Sequence, residues 1–160
     1  MEFFGYFISA DTIEIFKHLL VAAGLGMLLG LERVVAHKMA GMRTYGLVSL
    51  GSALFIVISG VETATYAGIT PFDPLRIAAS VVTGIGFISA GIIIFRNSHV
   101  EGLTTAAGLW VAAGIGMAAG FGLYAIATFT TLVTLFIFTA VWFFENKIKN
   151  ATSKWNDKDS

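Results

Sequence analysis

Two of the chain's few charged residues stand side by side: Glu32 and Arg33 close an apolar run that begins near residue 18. A carboxylate beside a guanidinium supports two chemistries. One is an interfacial anchor in which the cation favours a helix C-terminus, and the other is a site in which the carboxylate holds a cation. Both remain open at this point. Arg43 and Thr44 precede a second apolar run, Asp73 and Arg76 a third, and Glu101, Thr104 and Thr105 a fourth. The threonines have the chemistry of helix N-caps. Asp73-Pro74 reads as an N-cap followed by proline at the first helical position. His18, His37 and His99 fall at different ends of these runs, and there is no cysteine. No metal cluster, disulfide or iron-sulfur centre is therefore expected. No nucleophile with a base, and no acid with a base, can be assembled within the apolar runs, so neither an enzyme nor a cofactor is expected.

The elements that must position these residues follow from composition. Only 12% of the 160 residues are charged, 56% are hydrophobic, and the mean hydropathy is +0.82. So few polar residues cannot cover the surface of a soluble fold. Zero net charge, with no basic patch outside the tail, leaves no footprint for nucleic acid. Stretches free of charge run over residues 44–61, 77–95 and 102–144. Since about 20 apolar residues cross a bilayer, the first two are one helix each. The third is two helices joined at Gly120-Phe121-Gly122. The first span extends back to Ile13, with Lys17 snorkelling beside Glu14. The expectation is an all-α membrane bundle, residues 1–146, with five spans near 13–36, 44–60, 74–95, 104–120 and 123–145 and a cytoplasmic tail over 147–160. Arg33, Lys38, Arg43, Arg96, Lys147, Lys149, Lys154 and Lys158 fall on one side of this arrangement, and only Lys17 and Arg76 on the other. That bias predicts an N-terminus outside and a C-terminus in the cytoplasm. The acidic first residues give no signal peptide.

All 18 glycines lie before residue 123, and in membranes small residues let helix backbones approach. On the fourth helix Thr104, Thr105, Gly108, Ala112, Ile115, Ala119 and Gly122 share one face, whereas Leu103, Trp110, Met117 and Phe121 share the other. The first face, near Gly116, is expected to meet helices and the second lipid. On the first helix Ala22, Gly26 and Gly30 form a seam that carries Arg33 and His37, with Glu32 about 100° away. Arg33 is expected to enter the bundle and pair with Glu101 or with helix-end carbonyls, leaving Glu32 toward water. The fifth helix reads as peripheral, with Tyr124 and Trp142 at its two interfaces. A faint repeat aligns Ala23–Leu28 with Thr83–Ile88, and Gly41–Thr44 with Gly102–Thr105, at offsets of 60 and 61. It implies parallel pairs, helices one and two and helices three and four, with the Gly26 and Gly84/Gly86 helices facing each other at the centre.

The stretches Leu29-Gly30-Leu31-Glu32-Arg33, Lys38–Thr44, Leu47–Phe55, Asp73–Ala79, Gly84–Gly91 and Gly102–Trp110, in this order and spacing, resemble the MgtC/SapB family over about residues 20–122. Glu101 stands where that family often has Arg, and Ser80 and Ser89 stand where Gln and Gly are frequent. The resemblance implies a bacterial plasma-membrane protein linked to magnesium homeostasis, once named as a transporter and argued in some members to be a regulator. It also implies that a soluble C-terminal domain carried by some members is missing here. Magnesium demands near-octahedral oxygen and sheds water reluctantly. The expected helices two to five hold no carboxylate inside the hydrocarbon, so a dehydrated magnesium path through one protomer is not expected. Two functions remain: a non-enzymatic regulator acting through membrane partners, as a homo-oligomer or with other proteins, or a transporter or channel for magnesium or another cation.

Overall fold

The computed structural model describes residues 10–65, 73–96, 99–141 and 143. Five helices account for most of them: α1 (Ala10–Val35), α2 (Met42–Thr65), α3 (Pro74–Ala90), α4 (Leu103–Gly120) and α5 (Tyr124–Phe136). The last continues as a π-helical turn over Ile137–Val141. Helices α1, α2 and α4, and α5 with its π turn, are long and apolar enough to cross a membrane, whereas the apolar stretch of α3 is shorter. Trp142 and the tail 147–160 lie outside the described residues.

The helix ends have local causes. After α4, Gly122 takes a φ of +74°, and the Leu123 and Gly122 amides donate to the Ala118 and Ala119 carbonyls. This is a Schellman stop at the glycines where the sequence predicts a turn. The same motif closes α1, where the Lys38 and His37 amides donate to the Arg33 and Val34 carbonyls and His37 stands at φ +55°. Helix α1 thus stops at Val35, and His37 is exposed instead of continuing the seam. At the start of α3, the Asp73 carboxylate accepts the Leu75 amide at 2.9 Å ahead of Pro74.

Two expectations about helix ends are corrected. Helix α3 ends at Ala90 instead of 95, and Ile94–Arg96 pairs antiparallel with His99–Glu101 as strands β1 and β2. The β-branched run Ile92-Ile93-Ile94 favours extended backbone although its hydropathy resembles a span. Thr104 and Thr105 do not cap α4. Its N-cap is Gly102 at φ +91°, where a Cβ would collide with the Ile92 carbonyl. Arg43 and Thr44 likewise lie inside α2, which begins at Met42.

At the centre stand α2 and α4, side by side and parallel, since Gly116 meets the backbone of Ser49 and Gly120 that of Ala53. Helix α1 packs on both, antiparallel to α2, and α3 also packs on both. Helix α5 packs on α4 and α1. The expected meeting of the two Gly-x-Gly helices is therefore overturned: α1 and α3 share no substantial packed face, and the central pair is α2 with α4. A shift of sixty residues carries the buried positions Tyr45, Ser49, Ser52, Ala53 and Ile56 of α2 onto Thr105, Leu109, Ala112, Ala113 and Gly116 of α4, all buried. Helices α1 and α3 each pack on both α2 and α4, but Gly26 meets the backbone of Tyr45 whereas its counterpart Gly86 has nothing within 4 Å.

Candidate functional site

The seam on α1 brings Arg33 inward. Gly26 and Gly30 admit α2 so closely that a Cβ at Gly26 would stand 2.6 Å from the Tyr45 carbonyl, and one at Gly30 2.5 Å from Met42 Cα. Ser49 Oγ donates to the Ala22 carbonyl at 2.7 Å, fixing the two helices in register. One turn beyond Gly30 on the same face, Arg33 is 2% exposed.

A buried guanidinium needs partners. Arg33 Nε and Nη2 both donate to Glu32 Oε2, and the guanidinium carbon lies 3.5 Å above the centre of the Phe138 ring. That ring belongs to the π turn of α5. Phe138 also covers Gly108 of α4, where a Cβ would come within 2.7 Å of the ring. Beside it the Tyr45 hydroxyl donates to the Thr105 carbonyl at 3.4 Å, linking α2 to α4. One cluster therefore ties together the C-terminal ends of α1 and α5 and the N-terminal ends of α2 and α4. Cation-π contact with a desolvated guanidinium is worth about 2 kcal/mol, and the planar group matches both the carboxylate and the ring.

The pairing differs from expectation. Glu32 folds back onto its neighbour, and its side chain is only 15% exposed. A separation of 100° between two Cα–Cβ directions does not keep a three-bond carboxylate and a four-bond guanidinium apart. Glu101 is exposed on β2, and the carboxylate paired with Arg33 is that of Glu32.

Of the other expected site residues, Gly26, Gly30, Gly108 and Gly116 each sit at a close helix approach, and Thr105 is buried in the cluster. Arg43 and Thr104 are exposed and Thr44 half-buried at the same end of the bundle. Asp73 and Arg76 are exposed at the opposite end, where α3 begins. A Cβ added at Gly84 or Gly86 would meet nothing within 4 Å, so among the described residues neither stands at a close helix approach. At that opposite end Glu14 accepts from Lys17 at 3.2 Å and from the Tyr124 hydroxyl at 3.5 Å, joining α1 to α5. Among the described residues no group of three or more His, Cys, Asp or Glu is placed to hold a metal ion. Tyr45 and Phe138 were not singled out by sequence. Tyr45 carries a signal, a polar ring next to Gly46 and one turn before Ser49, but Phe138 lies 105 residues from Arg33 and carries none.

The fold and cluster define a class: a multi-pass helical membrane protein whose buried cation locks one end of the bundle. The MgtC family model matches residues 19–147, and the chain belongs to the MgtC family. YhiD of Escherichia coli K12, provisionally named a magnesium transporter, is 44% identical over 128 residues, covering 79% of this chain and 60% of YhiD. MgtC of Salmonella typhimurium LT2 is 47% identical over 90 residues, covering 56% of this chain and 36% of MgtC. An uncharacterized protein of Haemophilus influenzae is 38% identical over 103 residues, 62% of this chain and 43% of that protein. The chain thus spans 60% or less of each of these relatives. No solved structure matches.

Proposed function

We propose that the chain is a non-enzymatic regulator in magnesium homeostasis that acts on other proteins of the plasma membrane, with the Arg33 cluster at its cytoplasmic end. The observation that carries this reading is how the bundle centre is filled. Gly26, Gly30, Gly116 and Gly120 bring backbone against backbone along α1, α2 and α4, and the Glu32 carboxylate is engaged by Arg33. Magnesium keeps most of its water in protein sites, and a hydrated ion needs more room than such contacts leave. The names of the relatives support the link to magnesium. The bias of Lys and Arg supports the orientation. A cysteine placed at Lys38 should be shielded from impermeant label in intact cells and one at Glu62 should react; the reverse pattern would invert the topology.

The YhiD name favours a second reading, a magnesium carrier. Purified protein in liposomes containing a magnesium-sensitive dye separates the two. The proposal expects dye signals no faster than in protein-free liposomes, and magnesium entry that scales with protein content would replace the regulator by the carrier.

A further inference from the structure

The uncharged run 77–95 has the length of a membrane span, yet α3 uses only its first part, up to Ala90. Depth decides where the rest lies. Arg76 is exposed near the start of α3, and from there residues 77–90 rise about 21 Å along the helix axis. The Ile92 and Ile93 amides donate to the Ser89 and Ala90 carbonyls, so residues 91–93 continue as a tight turn that adds about 6 Å. Together these nearly equal the hydrocarbon thickness of about 30 Å. Strand β1 therefore starts at the edge of the hydrocarbon, at the end of the bundle that holds the Arg33 cluster.

The register of the hairpin fixes how it lies there. Phe95 stands opposite Val100, flanked by the pairs Ile94 with Glu101 and Arg96 with His99. Side chains alternate along a strand and opposed residues share a face, so Phe95 and Val100 occupy one face and Arg96, His99 and Glu101 the other. Phe95 is 80% exposed and Val100 is exposed beside it. Upright along the membrane normal, the hairpin would hold Glu101, in the pair nearest the helices, deeper in the membrane than Phe95. Lying flat, it turns Arg96 and Glu101 to water and lowers Phe95 and Val100 into the acyl chains, which also surround the exposed Phe87 of α3. Charge selects the lipid. Lys38 and Arg43 are exposed at the same end, and among the described residues neither they nor Arg96 form an ion pair. Against these cations stands the exposed carboxylate of Glu101, since that of Glu32 is taken by Arg33. We propose that the β1–β2 hairpin is an in-plane membrane anchor, in which Phe95 and Val100 enter the leaflet on that side and Arg96, with Lys38 and Arg43, binds the headgroups of anionic phospholipids. In the orientation proposed above this is the inner leaflet. Each basic residue near an anionic surface strengthens binding about fivefold.

The chain has no cysteine, so a fluorophore on a single introduced cysteine reports cleanly from the full chain in lipid nanodiscs. Lipids brominated on their acyl chains should quench the label on Val100→Cys, and aqueous iodide the label on His99→Cys. At Val100→Cys, brominated phosphatidylglycerol should quench more strongly than equally brominated phosphatidylcholine in a bilayer of the same overall composition. Arg96→Gln should lower that preference about fivefold, whereas Arg76→Gln, at the opposite end of α3, should leave it unchanged. These side chains are all exposed, so every variant should keep the helical circular dichroism of the wild type. Iodide quenching of both labels would place the hairpin in water, and a Val100→Cys label quenched by neither agent would mean that protein covers the face; either result overturns the anchor. Equal quenching by the two brominated lipids, or a preference that Arg96→Gln leaves intact or Arg76→Gln lowers as much, would overturn the binding of anionic headgroups.

Discussion

Arg33 shows how a single charged residue can be kept inside an apolar bundle. Its two donors to Glu32 and its stacking on Phe138 replace the water it has lost, and the pair is nearly buried on both sides. Removing one partner of such a pair costs about 3–5 kcal/mol, because the other charge is left behind unpaired. Thermal unfolding in detergent should therefore show Arg33→Ala destabilised by about 3 kcal/mol. Arg33→Lys should recover part of the loss, since an ammonium reaches the carboxylate but cannot present the fork or lie flat on the ring. Replacing both residues, Glu32→Gln with Arg33→Met, should be less damaging than Arg33→Ala alone. If Arg33→Ala melts with the wild type, the cluster contributes nothing to the fold. The sequence carries half of this site. The Gly26–Gly30–Arg33 spacing places the guanidinium inside, but its partner depends on how two long side chains bend, and the ring beneath it comes from the far end of the chain.

At the scale of elements, glycine has two uses that spacing alone does not separate. In α4, Gly116 lies on the backbone of Ser49, whereas Gly114, two residues earlier, has nothing within 4 Å. Gly116→Leu should destabilise the protein by about 1–3 kcal/mol through overpacking. Met117→Leu, a volume-conserving change one residue on at a half-buried position, should cost under about 1.5 kcal/mol. Chemical unfolding in mixed micelles measures both, and equal losses would mean that the buried face is misassigned. The small and bulky faces of α4 were legible because they rest on the 100° period and on side-chain size. Thr105, Gly108, Ala112, Ile115 and Ala119 are buried, whereas Thr104 of the same expected face is exposed and Gly122 half-buried; Leu103, Trp110 and Phe121 are exposed, and Met117 is half-buried. The end of α3 was not legible, since hydropathy scores Ile92-Ile93-Ile94 alike in a strand or a span. The central pair was hidden for a similar reason. Gly-x-Gly marks α1 and α3, but the residues that bring α2 and α4 together are glycines on one helix and the small Ser49 and Ala53 on the other.

For the whole molecule, a filled bundle centre and a cation lock at one end support the proposed role in magnesium homeostasis through other membrane proteins. The central claim is that the Glu32 carboxylate serves Arg33 and not a passing cation. Gln in place of Glu32 keeps an oxygen that accepts from the guanidinium but removes the charge a magnesium ion would need. Growth in low-magnesium medium, in cells that depend on this chain and hold equal amounts of each variant in the membrane, tests the claim most directly. The account predicts that Glu32→Gln, which keeps an accepting oxygen beside the guanidinium, retains more growth than Arg33→Ala, that Arg33→Lys retains part and that Arg33→Ala loses it; failure of Glu32→Gln together with wild-type growth of Arg33→Ala would contradict it.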